Sequence, residues 1–82
     1  MLNVAVTLQG SFQGLNSTGA ITLAGAQVGD LVYSAAIGTT TADYRGSFER
    51  TISVAGEIQQ TSGSPLSAYT FDVVLLRTIV IS

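Results

Sequence analysis

Alternating apolar and polar residues, the period of a β-strand with one buried face, mark several short stretches of the chain. The stretch LNVAVTL at residues 2–8 shows the pattern most clearly, because leucine and valine alternate there with asparagine, alanine and threonine. Turn residues, mainly glycine and serine, separate these stretches, and no window shows a helical period of 3.6 residues. Further strands are predicted around Phe12 and at residues 20–24, 30–37, 47–54, 57–61 and 69–81.

The last predicted strand, residues 69–81, does not alternate. One face reads Phe71, Val73, Leu75, Arg77, Ile79 and Ile81, and the other reads Asp72, Val74, Leu76, Thr78 and Val80. A strand with one face in water should be polar on that face. This strand therefore needs cover on both faces, and its length predicts that it bends and serves two sheets.

The spacing of strands and turns predicts the fold class. About six short strands in 82 residues indicate one all-β domain spanning residues 1–82: a small antiparallel β-sandwich, jelly-roll-like or barrel. The pattern leaves sandwich and barrel open. The structural turns are assigned to Gly25, Gly29, Asp30 and Gly56.

Size and composition indicate self-association. A domain this small buries only about 60% of its unfolded surface and usually needs disulfides, a metal or partner subunits. The chain has no cysteine and no histidine, and its charged residues make up only 10% of the sequence. Subunit association is the remaining way to bury the surplus apolar surface, so we expect an oligomer.

The same composition argues against several functions. Without histidine, cysteine or lysine, the common hydrolase triads and the usual zinc, copper and haem sites are not expected, so we predict no enzyme, no metal and no cofactor. A net charge of −2 with three arginines does not favour nucleic-acid binding. No polybasic run, transmembrane segment or secretory signal is apparent, so no membrane partner is expected.

Three charged or aromatic positions carry specific expectations. Asp30 follows Gly29 at a turn, where its carboxylate is expected to accept backbone N–H bonds. Tyr44 and Arg45 lie in the longest predicted loop, either as exposed interface anchors or with Tyr44 folded onto the core. Arg77 interrupts the apolar run VVLLRTIVIS as a gatekeeper against aggregation, and it can pair with a carboxylate of a neighbouring strand or subunit.

The stretches ITLAGAQVGDLVYSA, SVAGEIQQT and SAYTFDVVLL together resemble a small β module of tailed-bacteriophage virion proteins. The resemblance spans about residues 8–76. The matching positions are Gly25, Val28, Gly29, Asp30, Val32, Val54, Gly56 and Ile58.

The resemblance implies a trimeric β-sandwich or jelly-roll unit. Such modules occur as capsid decoration (cement) proteins and as knobs at the ends of head or tail fibres. Because the chain begins with Met1 and carries no shaft, we expect a homotrimeric decoration protein that stabilises the head by bridging major capsid subunits. It would be made in the host cytoplasm and lie on the outer capsid surface of the virion.

Two alternatives stay open, a receptor-binding or adhesin knob of a fibre and a neck or tail adaptor component. In each case we expect an interface with other subunits or the capsid, and Leu76→Asp is expected to give monomers or insoluble protein. The predicted interface residues are Leu2, Val4, Tyr44, Arg45, Val74, Leu76, Arg77 and Val80.

Overall fold

The computed structural model describes residues 2–38 and 43–81, which form two antiparallel sheets. The first sheet has the strand order β1-β5-β3, and the second pairs β2 with β4. The prediction of an all-β fold is confirmed, with five strands where about six were expected. The elements are β1 (Leu2–Gln13), β2 (Gly19–Thr22), β3 (Leu31–Ile37), a 3-10 helix (Arg45–Ser47), β4 (Glu57–Gln60) and β5 (Thr70–Ile81).

Both sheets contribute side chains to a single hydrophobic core, as in a small β-sandwich. Three phenylalanines form its centre. The rings of Phe12 and Phe71 each approach Phe48 edge-on, with ring centroids 5.1 Å apart in both pairs. The smaller sheet adds Ile21 and Ile58, which are paired across β2 and β4. The other buried apolar residues are Leu23, Ala26, Val32, Ala35, Ile52, Leu66, Val73 and Leu75.

The two longest strands pair along their whole length. β1 and β5 are in register from Leu2 opposite Ile81 to Gln13 opposite Thr70. The strand predicted at residues 2–8 and the short one around Phe12 are therefore one continuous strand. Glycine at position 10 does not end it, because the pairing with Val73 continues through that residue.

The strand predicted at residues 47–54 is not formed. A 3-10 helix covers its start, and only single bridges follow, between Phe48 and Gln60 and between Thr51 and Leu31. The segment bonds first to β4, where the Glu49 N–H donates to the Gln59 carbonyl oxygen at 2.9 Å. It then bonds to β3, where the Val32 N–H donates to the Arg50 carbonyl oxygen at 2.8 Å. Because its partners change after two or three residues, the segment crosses between sheets and builds no ladder with either.

The prediction that the last strand bends to serve two sheets is also wrong. β5 is the central strand of the larger sheet, with β1 on one side and β3 on the other. Its core face is buried at Phe71, Val73 and Leu75. On the opposite face Val74 and Leu76 are half-buried. No second layer of described residues covers that face, so the apolar character of both faces is not explained by one chain.

Candidate functional site

The N-terminal end of β1 and the C-terminal end of β5 extend beyond the rest of the sheet as a two-stranded ribbon. The pairing of β3 with β5 ends at Leu31 opposite Leu76, so residues 77–81 of β5 pair only with residues 2–6 of β1. Five residues of strand span about 17 Å. We call residues 2–6 and 77–81 the β-ribbon. It accounts for part of the elongated shape of the molecule, which measures 44 × 26 × 18 Å.

The face of the β-ribbon that continues the core is mainly apolar, and its other face combines the apolar Val80 with Asn3, Ala5 and Thr78. Ile79 is 43% exposed on the face that continues the core, and Val4 lies opposite it half-buried. Val80 is 57% exposed on the other face. Isolated two-stranded ribbons are at best marginally stable in water, and contiguous exposed apolar surface commonly marks an interaction site. The β-ribbon is therefore the strongest candidate for a binding surface.

A hollow at the base of the β-ribbon enlarges this surface. It has a volume of about 570 Å³, and apolar side chains from the turn before β3 and from β5 contribute to its wall. Val28 in that turn is 66% exposed. Among the lining residues are Val28, Leu31, Leu76 and Ile79.

The outer edge of β1 is available for strand pairing. The Gly14 N–H donates to the Tyr69 carbonyl oxygen at 3.0 Å, which continues the β1–β5 register. Because hydrogen-bonded and non-bonded positions alternate in an antiparallel pair, the odd-numbered residues of β1 direct their N–H and C=O groups away from β5. Edge strands are usually protected by charged residues or proline, and Leu2–Gln13 contains neither. This edge can therefore accept a strand from another molecule.

An ion pair holds the β-ribbon to the body of the protein. The Arg77 guanidinium donates to both carboxylate oxygens of Asp30, at 2.8 and 2.7 Å, and to the Gly25 carbonyl oxygen at 2.9 Å. The Gln27 N–H donates to the same carboxylate at 2.9 Å, as expected for Asp30 in a turn. Gly25 and Gly29 shape that turn with φ of 89° and 96°.

Hydrogen bonding by Arg77 lowers the pKa of Asp30, although burial of the carboxylate opposes this effect, and the bond from the Gln27 N–H lowers it further. The same interaction raises the pKa of Arg77. Arg77 thus pairs with a carboxylate of its own chain. The ion pair fixes the position at which the β-ribbon leaves the sheet.

The other predicted interface residues divide into two groups. Val4 and Val80 lie on the β-ribbon, and Val74 and Leu76 lie next to it on the outward face of β5. Leu2 pairs with Ile81 at the tip, and its side chain is outside the described part of the structure.

Tyr44 and Arg45 lie apart from the β-ribbon, in the segment that follows β3. The Tyr44 ring packs edge-on against Phe71 with centroids 5.4 Å apart, so the alternative that folds Tyr44 onto the core is the right one. The predicted loop that contains both residues also includes residues 39–42, which lie outside the described residues.

Of the six large apolar or aromatic side chains exposed in the described part of the chain, only Val80 is among the predicted interface residues. The other five are Val28, Tyr33, Val54, Tyr69 and Ile79. In the sequence, Val28 and Val54 stand out only as positions of the resemblance, and Ile79 only as one position on a strand face. Tyr33 falls inside a predicted strand, where aromatic residues are usually taken for core. Its exposure comes from an irregularity in strand pairing that the sequence pattern does not reveal.

In the part of the chain that the structure describes, no three histidine, cysteine, aspartate or glutamate side chains are grouped so that they could hold a metal ion. None of the helices found there is long and apolar enough to cross a membrane.

Comparisons of the chain with protein-family models, curated proteins and solved structures found no match. The resemblance to phage virion modules therefore stays a prediction.

Proposed function

We propose that this protein is a self-associating structural subunit of a virion, a homotrimeric capsid decoration protein that stabilises the head by bridging major capsid subunits. The observation that carries the proposal is the β-ribbon, which exposes Ile79 on one face and Val80 on the other and has no cover within the described chain. A neighbouring copy would cover it, and the free edge of β1 would let the two copies share a sheet.

The low charge of the chain supports the same conclusion. Exposed valine and isoleucine are tolerated in a monomer when surrounding charges keep molecules apart. β1 carries no charge at all, and the only charged residue of the β-ribbon, Arg77, is bound to Asp30. Association between copies is therefore weakly opposed at this surface. The subunit number of three and the capsid as partner rest on the resemblance of the turn and strand motifs to phage virion modules.

Light scattering on the purified chain tests the self-association. We expect a particle with the mass of three copies of the 8.4 kDa chain. Val80→Asp and Leu76→Asp place a charge on the outward face of β5 and should give single chains or insoluble protein. Thr18→Asp adds the same charge in an exposed loop far along the chain from the β-ribbon, and it should leave the mass unchanged. A wild-type protein that is a folded monomer at micromolar concentration would contradict the proposal.

A second experiment tests the capsid role separately. Capsids of the virus that encodes the chain, assembled without it, are mixed with the wild-type protein and imaged. We expect added density at threefold or quasi-threefold positions and greater resistance of the capsids to heat. A trimer that leaves the capsids bare would show self-association with a different role, such as a fibre knob.

A further inference from the structure

Tyr33 is pushed out of the sheet by a β-bulge. Val32 pairs with Leu75 and Ser34 pairs with Val74, so Tyr33 is an extra residue that faces no partner on β5. Its side chain is 61% exposed. Bulges redirect individual side chains and are frequent beside functional sites. This tyrosine therefore projects to the surface from β3, an edge strand of the larger sheet.

A cleft of about 280 Å³ lies beside Tyr33 and is lined by Leu31, Val32, Arg45 and Arg50 as well. The chain segment that carries the two arginines is attached to β3 at both of its ends. The Tyr44 N–H donates to the Ala35 carbonyl oxygen at 2.8 Å, and the Arg50 carbonyl oxygen accepts the Val32 N–H. These bonds hold the arginines at the edge of β3, next to the bulge.

Both guanidinium groups at the cleft lack a partner among the described residues. Of the three arginines, only Arg77 forms an ion pair or a side-chain hydrogen bond there. The Arg45 backbone is anchored instead, since its N–H donates to an Asp43 carboxylate oxygen at 2.9 Å. Two of the three cations of an acidic protein thus line one cleft with their donors available.

The lining chemistry selects the kind of ligand. Guanidinium groups only donate hydrogen bonds, and their planar geometry fits an oxyanion such as a carboxylate or a phosphate. The cleft contains no asparagine, glutamine, aspartate or glutamate side chain to accept bonds from sugar hydroxyls. Exposed tyrosine and arginine beside an apolar floor are the combination typical of energetically important positions in protein interfaces.

We propose that the cleft formed by Tyr33, Arg45 and Arg50 binds a carboxylate side chain presented by a segment of another protein. The site lies along the β3 edge of the larger sheet, and the free edge of β1 lies on the opposite side. Leu31 also lines the hollow at the base of the β-ribbon, so the two surfaces adjoin, but the cleft is formed by one chain and does not depend on self-association.

Peptide titration followed by amide and arginine side-chain NMR shifts tests this inference. The probe is a short glycine-rich peptide with two glutamates, and its control is the same peptide with two glutamines. We expect the glutamate peptide to shift the signals of Tyr33, Arg45 and Arg50 at millimolar concentration, and the glutamine peptide to leave them unchanged. Arg45→Gln and Arg50→Gln should each weaken binding by about tenfold, the effect of losing one charged hydrogen bond.

Thr18→Glu is the matched control, because it makes the same change in net charge at an exposed loop position away from the cleft. It should leave the affinity unchanged, whereas Tyr33→Ala should lower it. The proposal is overturned if the glutamine peptide binds equally well, if the arginine variants bind as tightly as the wild type, or if no signal shifts. Binding of N-acetylneuraminic acid without binding of the peptide would also overturn it and would assign the cleft to an acidic sugar.

Discussion

At the scale of single residues, Gly14 is the position where a side chain is least tolerated. It follows β1, is buried, and donates its N–H to the Tyr69 carbonyl oxygen. A Cβ atom added there would lie 2.5 Å from the Leu66 carbonyl oxygen and 2.9 Å from the Phe71 ring. Both neighbours are held by the core, so neither can move away at low cost.

We therefore expect Gly14→Ala to lower the free energy of unfolding by about 1–3 kcal/mol, the usual cost of overpacking. Gly63→Ala is the control, because no atom lies within 4 Å of a Cβ added at that position. It should change stability by less than about 0.5 kcal/mol. Urea unfolding followed by circular dichroism measures both variants at one chain concentration. Equal stabilities of the two would show that the packing around Gly14 is not tight.

At the scale of elements, the Asp30–Arg77 ion pair joins β5 to the turn before β3. The Asp30 side chain is only 2% exposed and accepts hydrogen bonds from both Arg77 and the Gln27 N–H. Asp30→Asn keeps the shape but removes the charge, which leaves the guanidinium without its counter-ion. We expect this change to lower the free energy of unfolding by about 2 kcal/mol at pH 7.

The pH dependence of that loss follows from the lowered pKa of Asp30. A carboxylate whose pKa is lower in the folded state stabilises the fold above its ordinary pKa of about 3.9, and this contribution is lost as the pH falls through the lowered pKa. The difference between wild type and Asp30→Asn should therefore be constant from pH 7 to about 5 and shrink below about 4. Asp72→Asn removes the same charge at an exposed position and should show a much smaller difference. A wild-type advantage that persists at the lowest pH would contradict this assignment.

A strand or turn can be predicted from the sequence when a local pattern, such as alternation or a turn glycine, determines it. The alternation at residues 2–8 and the turn glycines reflect local rules, and the structure contains that strand and those positive φ angles. The segment after Ser47 has the strand propensity of Phe48 and Ile52, yet its backbone partners lie in two different sheets. Propensity does not report where partners lie, so this segment was mistaken for a strand.

Gln60 shows the same limit for a buried polar group. Its amide nitrogen donates to the carbonyl oxygens of Leu15, Ser62 and Ser64, and its amide oxygen accepts the Leu15 N–H. The side chain is 1% exposed and ties two loops to β4. In sequence it is one of two adjacent glutamines in a half-buried strand, and nothing local distinguishes it from Gln59. The cleft beside Tyr33 was not predicted for a related reason. The bulge and the two arginines that line the cleft are distant in sequence, and only the fold brings them together.

At the scale of the whole molecule, one chain leaves part of its apolar surface uncovered. Phe12, Phe48 and Phe71 pack at the centre of the core, and β1 and β5 continue beyond the core as the β-ribbon. If copies cover this surface, folding and association are coupled, and stability must depend on chain concentration.

We expect the midpoints of thermal and urea unfolding of the wild-type protein to rise with chain concentration. For a trimer, a tenfold rise in concentration stabilises the folded state by about 1 kcal/mol per chain. Ile79→Asp charges the side of the β-ribbon that continues the core face, and its midpoints should be lower and independent of concentration. Thr18→Asp should keep the wild-type slope, since Thr18 lies in an exposed loop. Wild-type midpoints that do not change between micromolar and millimolar chain would mean that the β-ribbon is stable without a partner, and self-association would then have no physical basis in this surface.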